Sequence, residues 1–82
     1  MNLVVREPRQ LGAIIQDERR RQGMTQQQLA SLIGLQQKTI SAIENGSVGT
    51  KLDTLLRVFA TLDLDIQIVR GRTQGKSIED VF

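Results

Sequence analysis

Glycines at positions 23, 34 and 46 cut the stretch from residue 8 to residue 46 into three segments, the last two of barely two turns each. Helices shorter than ~12 to 15 residues are marginal in water, so whatever forms between these breaks must be held by its neighbours. The first segment opens on Pro8, whose missing N–H suits the first helical position. Leu11, Ile14 and Ile15 follow at i, i+3, i+4 spacing and predict a helix over residues 8–22. Gly23 can end it in the left-handed conformation that most residues resist. The second segment begins Thr25-Gln26-Gln27-Gln28, the spacing of a capping box, in which the threonine hydroxyl accepts from the Gln28 amide and the Gln28 side chain reaches back. Leu29, Ala30 and Ile33 then give one apolar face up to Gly34. The third, "QQKTISAIENG", sets Ile40 and Ile43 on one side and Gln37, Lys38, Ser41 and Ala42 on the other, before Asn45-Gly46 closes it. After a short loop, Thr50 and Asp53 read as another cap, and Leu52, Leu55, Leu56, Phe59 and Leu62 as the apolar residues of a fourth helix.

At "TLDLDIQIVRG" the period changes. Leu64, Ile66 and Ile68 alternate with Asp65 and Gln67, the two-residue repeat of a strand with one buried face. No second strand of comparable quality is visible. An unpaired edge is a liability, and the simplest remedy is pairing with the same strand of a second subunit about a two-fold axis. Pairing with Leu3 to Val5 of the same chain is the weaker alternative, because "LVV" is short and does not alternate. The expected organisation is therefore an N-terminal arm over 1–7, a helical domain over 8–62, a dimerising strand over 63–71 and a flexible tail over 72–82. In that tail Ile78, Val81 and Phe82 flank two acids. They read either as a short motif that orders against a partner or as an unstructured end.

Composition narrows the chemistry. The 82 residues contain no Cys and no His, which removes thiolate and imidazole metal ligands, the cysteine nucleophile and the commonest general base together. The acids show no spacing that would converge a pair, so we expect no catalysis, no cofactor and no metal. The formal charge is +2, with Lys and Arg outnumbering acids six to four in residues 1–46 and balancing them at five each in 47–82. A basic excess that small favours nucleic acid only weakly. No stretch approaches the ~18 apolar residues of a membrane span. The apolar patch at the N-terminus also falls short of the ~7 to 15 residues of a secretory core, so the expected location is cytoplasmic.

Two short helices joined by a tight glycine turn, the second presenting amide and small polar side chains, are the ingredients of a helix-turn-helix. Gln37, Lys38 and Ser41 suit the major groove: an amide can engage adenine bidentately, lysine donates to guanine, and serine serves either. "TQQQLASLIGLQQKTISAIENG", residues 25–46, resembles the Cro/C1-type (Xre) family, whose pattern runs T-Q-x-x-L-A, then G, then T-I-S, then E-N-G. With "LGAIIQDERRRQG" before it, the resemblance covers about half the chain. It implies a mainly α, four- to five-helix lambda-repressor-like domain that binds double-stranded DNA at a palindromic operator. It also implies base reading by Gln36, Gln37, Lys38 and Ser41, and backbone contact by Gln26, Thr39 and Asn45. Arg19 and Glu44 match a pair that bridges the first helix to the end of the third. Position 36, often Ser or Thr in the family, is Gln here, which weakens the cap and leaves that side chain's part open.

A helix-turn-helix followed by one dimerising strand and a short tail resembles a narrower group, the HipB-type antitoxins. "EPRQLGAIIQDERRRQGMTQQQLA" and "TLLRVFATLDLDIQIV" carry that likeness. It implies a homodimeric repressor of its own operon that binds a HipA-like Ser/Thr kinase toxin, with Ile78, Val81 and Phe82 as a toxin-binding tail. A stand-alone or phage-type repressor without a toxin, and a module that inhibits a kinase without reading DNA, remain open alternatives.

Overall fold

In the computed structural model, which describes residues 3–47 and 49–70, four helices follow one another: α1 Pro8–Arg21, α2 Gln26–Ile33, α3 Gln37–Glu44 and α4 Leu52–Thr61. Their ends are set by local chemistry. Glu7 stands at the N-cap of α1, where the Gln10 side-chain oxygen accepts its backbone N–H at 3.0 Å, and Pro8 fills the first helical position. α1 closes at Arg21, one residue before the expected end, and Gly23 takes φ +74° beyond it. The capping box of α2 is formed in both directions: Thr25 Oγ1 accepts from the Gln28 N–H at 3.0 Å, and Gln28 Oε1 accepts from the Thr25 N–H at 2.8 Å.

Gly34 is the hinge of the motif. It sits at φ +84°, and the backbone N–H groups of Gly34 and Leu35 both return to the Ala30 carbonyl at 2.9 Å. That left-handed residue turns the chain within two residues, so α3 starts at Gln37 already crossing α2. Gln36 occupies the α3 N-cap with no side-chain cap bond.

The core comprises Ile15, Leu29, Ala30, Ile33, Ile40, Ile43, Val58, Phe59 and Leu62, with Leu11, Met24, Leu35, Leu55 and Leu64 packed around it. α3 packs against both α1 and α2. Gly12 permits the α1–α3 approach, because a Cβ there would overlap the backbone carbonyls of Ile43 and Glu44. α4 is tied in by two side-chain bonds to helix C-termini: Arg57 Nη2 donates to the Ile33 carbonyl, and Gln22 Nε2 donates to the Leu62 carbonyl at 2.8 Å.

Two sequence expectations for α4 need correction. Lys51, and not Thr50, stands at the N-cap, without a side-chain bond. The buried face is Val58, Phe59 and Leu62, whereas Leu52 and Leu56 are exposed. The α4 segment is apolar on more than one side, so spacing alone could not say which side faces inward.

Beyond α4, Asp63 takes φ +60° and the Leu64 N–H bonds back to the Phe59 carbonyl at 2.8 Å, sealing the helix end. Leu64 packs against the core, and Ile66 and Ile68 are exposed. Among the described residues no strand is formed: residues 64–70 and 3–6 have no ladder partner within the chain. Ile78, Val81 and Phe82 lie outside the described residues. None of the described helices is long and apolar enough to cross a membrane.

Candidate nucleic-acid interface

The site is built outward from a buried ion pair. Arg19 on α1 and Glu44 at the end of α3 meet with side chains only 7% and 1% exposed. The guanidinium donates from Nε to Glu44 Oε2 at 2.6 Å and from Nη2 to Oε1 at 3.0 Å, while Nη1 donates to the Met24 carbonyl at 2.8 Å. This bidentate fork suits arginine and would not suit lysine. Glu44 Oε1 also accepts from Gln16 Nε2 at 3.3 Å and from Gln26 Nε2 at 3.0 Å. Burial pushes the Glu44 carboxyl up. Hydrogen bonds from Arg19 and Gln26, the Arg19 charge and the Gln16 bond together outweigh it and hold the carboxyl below its ordinary value. The bond to Glu44 raises Arg19 against the opposing effect of burial. Both groups stay charged in the fold, and among the described residues no buried side-chain N or O atom lacks a partner.

Gln26 carries the site to the surface. Its Oε1 accepts from Gln37 Nε2. Gln26 and Gln37 are the first residues of α2 and α3, so this bond sets two helix N-termini side by side. A helix N-terminus presents unpaired N–H groups and a positive partial charge of roughly half a proton. Neither α2 nor α3 has an acid in its first turn to neutralise that field. Two adjacent N-termini with amide side chains between them form a surface suited to a phosphate.

The residues beyond lie as follows. Gln36, Gln37 and Lys38 are exposed at the start of α3, Thr39 and Ser41 are half-buried, and Asn45 is exposed as the C-cap of α3. Gln26 is half-buried at the α2–α3 junction. The exposed face of α3 is therefore amide and hydroxyl with a single cation, and Ile40 and Ile43 face the core. Such a face can offer donors and acceptors to base edges while staying slim enough for the major groove. Arg20 is exposed, and Arg21 makes long pairs to the exposed Asp17 and the half-buried Glu18, each at 3.7 Å.

Gln16 is the residue that reading the sequence overlooked. It lies three positions before Arg19 on α1 and therefore on the same face, a spacing that could have marked it as a partner of Glu44. The direct contacts of Gln26 with Glu44 and Gln37 had no signature in the sequence, because they join the first residue of α2 to both ends of α3, 18 and 11 residues away.

A family model described as "Helix-turn-helix" matches residues 15–69. Antitoxin HipB of Escherichia coli strain K12 is 36% identical over 61 residues, spanning 74% of this chain and 69% of that protein. The ImmF control region 10 kDa protein of Bacillus phage phi105 is 31% identical over 62 residues, spanning 76% of this chain and 69% of that one. Among solved structures, one described as "Structure of HipA-HipB-O2-O3 complex" superposes with a TM-score of 0.79 at 31% identity, covering 87% of this chain and 100% of that chain.

Proposed function

Because this chain belongs to the helix-turn-helix family of the Cro/C1 (Xre) type, we propose that it is a sequence-specific DNA-binding repressor and the antitoxin of a type II toxin–antitoxin pair. The observation that carries the DNA-binding half is the junction of the α2 and α3 N-termini at Gln26 and Gln37 beside an exposed, nearly uncharged α3 face. Gln26, Thr39 and Asn45 hold phosphates and fix the protein on the duplex, while Gln36, Gln37, Lys38 and Ser41 reach base edges. With a net charge of only +2, counterion release contributes little. Affinity then rests on helix N-termini, amides and the presence of two copies.

A single module of this kind buries only ~600 to 1,000 Å² on DNA. Leu64, Ile66 and Ile68 supply the second copy by pairing across a homodimer two-fold, which also covers the exposure of Ile66 and Ile68. The palindromic operator then has half-sites ~34 Å apart or a multiple of that. The antitoxin half is supported by the likeness to HipB and to a HipA–HipB–operator assembly. The chain represses its own operon and binds a HipA-like kinase toxin, to which we assign the tail residues Ile78, Val81 and Phe82. The activity is binding throughout, and no catalytic step is involved.

The test uses the DNA upstream of the gene and the product of the neighbouring reading frame. Sequence-selective binding to an inverted repeat, together with co-purification of a kinase-like partner, is the expected result. Binding to DNA without any partner would leave a stand-alone repressor. Capture of a kinase by a chain that ignores DNA sequence would leave only the interaction module. Substituting Gln37 should change base preference by ~1 to 3 kcal/mol, whereas substituting Gln26 should weaken binding to every sequence.

A further inference from the structure

Glu44 sits between the fold and the reading surface, and what matters is the group it cannot offer. An ionised carboxylate has acceptors and no donor. Because Glu44 Oε1 receives Gln26 Nε2, the Gln26 amide must stand with nitrogen inward and oxygen outward, since the reverse would set two oxygens against each other. The outward Oε1 is again an acceptor only, and Gln37 meets it with Nε2. Gln37 is thereby held with its nitrogen toward Gln26, keeping one N–H and the whole of its Oε1 for another partner. A free glutamine amide has no such preference, because its last torsion is broad and roughly two-fold.

We propose that Glu44 is a positioning residue for sequence recognition: acting through Gln26, it fixes which way the Gln37 amide faces on α3. This deepens the DNA-binding reading above and rests on it. An adenine edge requires the amide oxygen at its N6 amino group and the amide nitrogen at N7, so a Gln37 flipped end for end would present the wrong pattern. The buried pair with Arg19 is made directly and does not run through Gln26. The relay is thus a separate task of the same carboxylate, and it runs over two hydrogen bonds from the α3 C-terminus to the α3 N-terminus.

The experiment measures affinity of the full chain for a duplex selected from random sequence and for its single-base variants, at a temperature where each protein is folded by circular dichroism. A bidentate glutamine–adenine contact discriminates by ~5- to 150-fold. Glu44→Gln keeps the shape and can still accept from Arg19, but it adds a donor that satisfies either orientation of Gln26. Gln26→Met removes the relay and leaves the ion pair in place. Each should lower discrimination at the base pair read by Gln37 by about threefold or more, with smaller changes in discrimination at other positions. Gln26→Met, which also loses a phosphate contact, should in addition weaken binding to every sequence, and the double variant should lose no more discrimination than either single one. A merely structural Glu44 would weaken all sequences alike and leave the ratio unmoved, which overturns the proposal.

A readout without DNA guards against misfolding of Glu44→Gln. The side-chain amide signals of Gln37 in a nitrogen–proton correlation spectrum should shift in Gln26→Met and, where it folds, in Glu44→Gln, although Gln37 does not touch Glu44; unshifted signals would sink the relay. Absence of selective binding by the unaltered chain would overturn the DNA-binding reading and the relay with it. Selective binding with an unmoved ratio overturns the relay alone.

Discussion

Replacing Glu44 by alanine should cost the fold about 3 kcal/mol or more, and the reason can be followed atom by atom. The carboxylate receives four hydrogen bonds: two from Arg19 and one each from Gln16 and Gln26. Its loss leaves a guanidinium that is 6% exposed at the residue level with one remaining partner, the Met24 carbonyl. Breaking a buried pair from one side costs ~3 to 5 kcal/mol, because the surviving charge stays desolvated and uncompensated. Water entering the vacated volume favours the lower end of that range. Against a total stability of roughly 4 to 12 kcal/mol for a chain this long, the change raises the unfolded fraction by at least ~100-fold.

Urea unfolding followed by circular dichroism at pH 7 measures it. Protein concentration must be held constant, since any dimer makes apparent stability concentration-dependent. The companion variant is the double replacement Arg19→Met with Glu44→Leu, which removes both charges and keeps volume, and it should be much less destabilised than Glu44→Ala. A loss under ~1 kcal/mol for Glu44→Ala is what exposed pairs give and would refute the claim that this pair is desolvated. A double variant as unstable as the single one would show that side-chain shape, and not an orphaned charge, carries the cost.

Acid should act on the same carboxylate. Its folded pKa is depressed, so its stability contribution is complete above the ordinary glutamate value of ~4.3 and is lost as pH falls through the lower folded value; Glu44→Gln should flatten that part of the stability–pH curve. Gly12→Ala would normally stabilise a helix by ~1 kcal/mol. Here the added Cβ meets the α3 carbonyls of Ile43 and Glu44, so the sign should reverse to a loss of ~1 to 3 kcal/mol in the same urea assay. Thr25→Ala removes the α2 cap and should cost ~1 kcal/mol, and an unchanged midpoint would mean that packing alone holds α2. Ile66→Lys should dissociate the dimer at micromolar concentration in sedimentation equilibrium, and a stable dimer would remove the strand from the interface.

The sequence by itself determined where α1 begins, where α2 begins and ends, and where α3 ends. Pro8, the Thr25–Gln28 box, Gly34 and Asn45-Gly46 act through bonds to residues within a few positions, and such local chemistry reads directly from spacing. It also determined most of the core of α2 and α3, because Leu29, Ala30, Ile33, Ile40 and Ile43 form each helix's apolar stripe, outweighing the exposed Leu32. The tertiary structure decided what depends on residues distant in the chain. It selected Val58 over Leu52 and Leu56 as an inward residue of α4, since only the position of α2 defines inward there. It made Gly12 a contact point, because the Ile43 and Glu44 carbonyls lie more than thirty residues away in the chain. And it joined the Glu44 carboxylate and the Gln26 and Gln37 amides into one hydrogen-bonded chain. Hydrogen-bond direction is a property of atoms brought within about 3 Å, and only the packing of α2 against α3 brings these together.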